Sequence, residues 1–110
     1  MHRPLFLSRR LLPVVQPVLR DVDLLLCASA MDLPSRLDDP DATSRTYPRQ
    51  ARTPFNVTGH PALAMTAGLS ASALPLSARF VGRNFDEAMP FRVAAAWERA
   101  SGVGKQHPPL

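Results

Sequence analysis

A chain of 110 residues and 12.0 kDa has room for one domain at most, near the lower end of the usual size range. Its hydrophobic share of 45% and charged share of 20% are those of an ordinary soluble protein, but twelve prolines exclude long uninterrupted helices from most of it. The net charge of +4 rests on arginine, Lys105 being the one lysine; the arginines are scattered and interrupted by Asp38, Asp39 and Asp41, so the basic face that nucleic-acid binding needs is missing and no nucleic-acid partner is expected.

The first segment, residues 1–20, carries Arg3, Arg9, Arg10 and Arg20 and no acidic residue. An Arg-rich targeting segment and an ordinary helix ahead of a strand both fit that composition, and Pro13 and Pro17 favour the second because they interrupt the periodicity of a targeting helix. Val22 to Ala28 is an apolar run broken only by Asp23, of the length of a strand covered on both faces. Cys27 lies in that run as the single cysteine. It excludes an internal disulfide, fits a reducing and cytoplasmic compartment, and among Leu24, Leu25 and Leu26 reads as a buried, inert thiol. No secretory h-region and no apolar run of about 20 residues is read in these residues, so neither export nor a membrane partner is expected, and the sequon Asn56-Val57-Thr58 reads as unmodified. From Ser29 to Arg52 the chain is polar, with Pro34, Pro40 and Pro48, and reads as one long loop.

Thr53 to Arg83 has the punctuation of a turn followed by a hairpin. Gly59-His60-Pro61 bends the chain, and two strands are expected over Pro61–Ala67 and Leu76–Val81, antiparallel and joined through Gly68–Pro75. In the second strand Leu76, Ala78 and Phe80 alternate with Ser77 and Arg79, the pattern of one buried face. His60 reads as a hydrogen-bonded turn residue. A helix is expected over Phe85–Ala100, with Asp86 as N-cap, an apolar stripe of Met89, Val93, Trp97 and Ala100, and a stop at Gly102. On that frame Pro90 falls at the fourth helical position, where its missing amide removes a ladder bond. Residues 105–110 form a tail.

The wording of Asn56-Val57-Thr58-Gly59-His60-Pro61-Ala62-Leu63, Ala67-Gly68, Leu74-Pro75-Leu76 and Phe80-Val81-Gly82-Arg83 resembles the C-terminal portion of the amidase signature family, and Asp21-Val22-Asp23-Leu24-Leu25-Leu26 looks like a central strand of that fold. The resemblance covers roughly residues 20–110 and implies an α/β fold: a C-terminal fragment of a mixed-sheet domain, with a few strands and a C-terminal helix, over residues 21–104. It implies that the loop before Thr53 would cover the active-site cleft of a whole amidase and here covers nothing. It also implies Gly at the position of Ala73, where a left-handed backbone would strain alanine.

Such enzymes cleave carboxylic amides with a nucleophilic serine, a second serine and a lysine in a Gly-Ser-rich stretch. The requirement is general, because a serine needs a neighbouring base and its oxyanion needs aimed donors. This chain has no such stretch; Ser70-Ala71-Ser72 lacks the flanking glycines, and Lys105 lies in the tail. No catalytic residue is carried over, His2, His60, His107 and Cys27 have no metal-ligand spacing, and no cofactor is expected. Two readings follow: a truncated amidase, inert alone and prone to self-association or to pairing with the missing part, or a small non-enzymatic interaction module built from an amidase tail.

Overall fold

A computed structural model describes residues 3–106, with side chains from residue 9 onward. His2, His107 and the tail beyond Gln106 lie outside the described residues. The elements run α1 (Arg3–Asp21), β1 (Leu25–Ala28), α2 (Pro40–Thr46), α3 (Thr53–Thr58), β2 (Ala62–Leu69), β3 (Pro75–Val81) and α4 (Ala88–Ser101), followed by a 3-10 turn at Val103–Lys105. This is the expected α/β class with few strands and a C-terminal helix; the three described strands form an antiparallel sheet in the order β1-β3-β2.

Helix α1 runs through Pro13 and Pro17, contrary to the expected interruption. The two prolines stand one turn apart on a solvent-exposed face, so the carbonyls they leave unpaired, those of Arg9 and Pro13, can be hydrated. At its end the Arg83 guanidinium donates to the carbonyls of Leu19 (2.8 Å) and Val22 (3.0 Å), tying the last turn to the residues after β3 while Leu19 is buried.

Strand β1 is shorter than the apolar run and is covered on one side only. Register places Leu26, Phe80 and Leu63 on one face and Cys27, Arg79 and Ala64 on the other. Helix α4 packs on β2 and β3, so Phe80 is buried whereas Leu26, one strand over, is 66% exposed. Continuous hydrophobicity records what a strand could bury, and here the second layer stops short of it.

The long loop expected over residues 29–52 contains α2. Asp39 Oδ1 accepts from the Ala42 amide (2.8 Å) and Pro40 occupies the first helical position, where its missing N–H costs nothing. Helix α3 then ends at Gly59, which adopts φ 73° and donates to the Phe55 carbonyl (2.9 Å). The expected hairpin follows, with a bulge between Thr66 and Gly68. Its loop is closed by Ser70 N to Leu74 O (2.8 Å) and Ala73 N to Ser70 O (2.9 Å), a turn followed by one left-handed residue. That residue is Ala73 at φ 59°, where the resemblance implied glycine.

Burial along β3 does not alternate. Leu76 and Ser77 are exposed, and Arg79, Phe80 and Val81 are all buried. As the central strand, β3 is covered on both faces at this end only; the Arg79 guanidinium reaches the Arg52 carbonyl (3.5 Å) on the side opposite Phe80.

Helix α4 starts at Ala88 rather than Phe85, because Phe85 sits at φ 65° and cannot join a right-handed helix. Glu87, not the expected Asp86, takes the N-cap position and makes no side-chain cap bond; Asp86, one residue earlier, accepts from the Met89 amide (3.3 Å). The later start moves Pro90 to the third helical position, among the amides that have no helical partner, so it breaks no bond and packs instead against Gly82. The buried stripe is rotated onto Pro90 and Ala94; Met89 and Val93 are half-buried, Ala100 is exposed, and the partly exposed Trp97 donates Nε1–H to the Thr66 carbonyl (3.4 Å). Gly102, at φ 68° and bonded to the Glu98 carbonyl, ends the helix as expected.

Among the described residues the apolar core is small: Leu19, Phe80, Val81, Ala94 and Val103. Leu26, Leu69, Leu76 and Phe91 are exposed on or beside the sheet elements. The chain presents 8284 Å² to solvent, against ~6,000 Å² expected for a compact monomer of this mass. Its radius of gyration of 15.9 Å likewise exceeds the ~13 Å of a closed domain.

Candidate functional site

An open groove of about 730 Å³ lies at the far end of β2 and β3. The segment expected to cover nothing forms its wall: residues 30–35, Thr43 and Tyr47 face Ala64, Met65, Thr66 and Ser77. Ser35 and Thr43 share a hydroxyl hydrogen bond (2.8 Å), and the Asp32 carboxylate lies 3.3 Å from Arg49 Nε, close enough for an ion pair though not aligned as a hydrogen bond. Gln50 Oε1 is buried with no hydrogen-bond partner. Neither Asp32 nor Gln50 stands out in the sequence, because each acquires its place only when the polar segment folds back over the sheet.

The groups weighed for catalysis do not meet. Ser70 and Ser72 sit in the exposed hairpin loop, hydroxyls 3.0 Å apart, and Ser70 Oγ also accepts from the Leu74 amide (3.1 Å), so both serve the turn. Lys105 is exposed in the 3-10 turn after α4. Among the described residues no serine hydroxyl is hydrogen-bonded to a lysine, a histidine or a carboxylate.

One hydroxyl–imidazole pair does occur, between Thr58 Oγ1 and His60 Nδ1 at 2.7 Å, both residues buried. The Thr58 hydroxyl also lies 2.9 Å from the Pro54 carbonyl, to which it must be the donor. With its only proton so used, Thr58 accepts from Nδ1–H, which assigns the tautomer from the network and makes the pair a brace rather than a nucleophile and its base. Burial lowers the His60 pKa from 6.5 and favours that neutral form. His60 is thus the hydrogen-bonded turn residue expected.

Cys27 is half-buried, and burial raises its pKa, with the Arg79 charge opposing the shift, so its thiolate is disfavoured. Among the described residues no group of three or more His, Cys, Asp or Glu side chains is placed to hold a metal ion, and no helix is long and apolar enough to cross a membrane. The arrangement can bind in a groove, but its described residues assemble no activated nucleophile.

Comparison with known proteins gives a match to the family model described as Amidase over residues 7–90. The chain is 37% identical over 100 residues to "Putative amidase AmiD" of Mycobacterium tuberculosis, covering 84% of this chain and 21% of that protein. It is 32% identical over 106 residues to an uncharacterized protein of the nthA 5' region of Rhodococcus erythropolis, covering 87% of this chain and 53% of that one. It is also 40% identical over 87 residues to a glutamyl-tRNA(Gln) amidotransferase polypeptide of Granulibacter bethesdensis, covering 74% of this chain and 17% of that polypeptide. The chain therefore spans about a fifth of AmiD and about half of the Rhodococcus protein.

Proposed function

The chain belongs to the amidase family, and from that premise we propose that it supplies the C-terminal part of an amidase domain and does not hydrolyse amides by itself. The observation that carries this reading is the separation of the candidate groups: the serines of the hairpin loop are bonded to each other and to backbone, and no lysine, histidine or carboxylate touches a serine hydroxyl among the described residues. Without a base at the hydroxyl a serine is not a useful nucleophile at neutral pH. The groove beneath residues 30–35 would then be one wall of a cleft whose reactive wall lies in the rest of the domain. Such a chain, cytoplasmic and free of any cofactor, would associate with itself or with the remainder of an amidase sheet.

An interaction module is the second reading, favoured by exposed apolar side chains such as Leu26, Leu69, Leu76 and Phe91. Assay of the purified chain against benzamide and propionamide separates catalysis from both. No turnover is expected. Turnover lost on replacing a single serine with alanine would overturn the proposal by revealing a nucleophile, and turnover surviving replacement of every serine would reveal a different chemistry.

A further inference from the structure

The two outer edges of the sheet are not equivalent. Along β2 the Trp97 indole bonds the Thr66 carbonyl, and the 3-10 turn after α4 packs against the strand. Along β1 no backbone hydrogen bond from outside the sheet reaches Leu25–Ala28 among the described residues. Every second amide and carbonyl of β1 therefore points outward without a backbone partner, the template that folded proteins usually blunt with charge, proline or a bulge. Residues 24–28, Leu-Leu-Leu-Cys-Ala, contain no charge and no proline, and the β1–β3 register has no bulge.

We infer that β1 is the surface through which two copies of this chain pair, antiparallel about a two-fold axis at Leu26, joining two three-stranded sheets into one of six. This rests on the self-association included in the proposed function and adds its place and register. An antiparallel edge is self-complementary under two-fold symmetry. Centring on Leu26 sets that side chain, 66% exposed, against its own copy and pairs Leu24 with Ala28 and Leu25 with Cys27 across the axis, so the whole apolar run is used. Asp23 then stands opposite Ser29 of the second copy, with no like-charge clash. Centring on Cys27 instead would bring Leu24 opposite Ala30 and Leu25 opposite Ser29, spending the run on its ends.

The register makes a chemical prediction. Directly opposed residues of an antiparallel pair have Cα atoms ~4.5–5.5 Å apart, within disulfide range. Residues offset by one from the centre lie beyond it. The test uses Leu26→Cys with Cys27→Ser, compared with Leu37→Cys with Cys27→Ser on the exposed loop and with the unaltered chain, under diamide oxidation. Covalent dimer is expected to form at least ~10-fold faster at position 26 than at 37, because a docked pair meets at a high effective concentration, and Cys27 is expected to link slowly. Sedimentation of the reduced, unaltered chain is expected to show a reversible dimer, and Leu26→Lys a monomer with unchanged helical circular dichroism. If the reduced chain is monomeric at all concentrations, self-association itself fails. If it dimerises while position 26 links no faster than 37, the β1 pairing fails and the broader reading stands. Rapid linking through Cys27 in place of position 26 would overturn the register.

Discussion

Ala73→Gly is expected to stabilise the chain. Ala73 is the left-handed residue that closes the hairpin loop, at φ 59°, with its amide bonded to the Ser70 carbonyl at 2.9 Å. An L-residue pays about 1–2 kcal/mol for that conformation because Cβ crowds the following carbonyl. Glycine removes the crowding but costs about 0.5–1 kcal/mol of additional chain entropy on folding. The difference leaves a net gain of about 0.5–1 kcal/mol, a rise in midpoint of roughly 3–6 °C for a domain of this size. Ala71→Gly, in the same loop with no positive φ, is the control and should lower the midpoint. Thermal unfolding followed by circular dichroism on both variants and the parent, at matched concentration, measures the effect. An Ala73→Gly midpoint at or below that of the parent would refute the loop geometry.

Gly82→Ala is expected to cost about 1–3 kcal/mol in denaturant unfolding, because a Cβ there would lie 2.9 Å from the Asp86 carbonyl and 3.0 Å from Pro90. Gly104→Ala meets only the flexible end of Glu98 and should change stability far less. His60, neutral in the fold, has a lowered pKa, so the unfolded chain takes up a proton first as the medium becomes acidic. Its contribution is complete above about pH 6.5 and is lost as pH falls through the lowered folded value; His60→Gln should flatten that part of the stability profile, and an unchanged slope would show that another group titrates.

Features set by one or two residues are legible in the sequence itself. Gly59 and Gly102 end helices because they reach positive φ, Ala73 falls at the loop position that wants glycine, and the hairpin follows from its flanking apolar strands. What is not legible depends on neighbours distant in sequence or on which helical register wins. The Asp39-Pro40 pair is a helix start hidden in polar sequence, and Phe85, by turning left-handed, moves the α4 start to Ala88 and thereby makes Pro90 harmless. The run at β1 could bury two faces, but its exposure is set by where α4 ends its coverage. The resemblance is recognisable from about residue 20, whereas the family match begins at residue 7 and includes most of α1. The groove is hidden for the same reason as the exposure of β1: Asp32 and Gln50 meet the sheet only through tertiary folding.

The central claim, that these residues form an incompletely covered share of an amidase domain, is tested most directly by unfolding the isolated chain while its mass is measured by size-exclusion chromatography with light scattering. A core of five buried apolar side chains among the described residues, with an open sheet edge, predicts a self-associating chain with a broad, low-temperature transition. A monodisperse monomer that unfolds sharply and cooperatively above about 50 °C, within the ordinary range of complete domains, would contradict it.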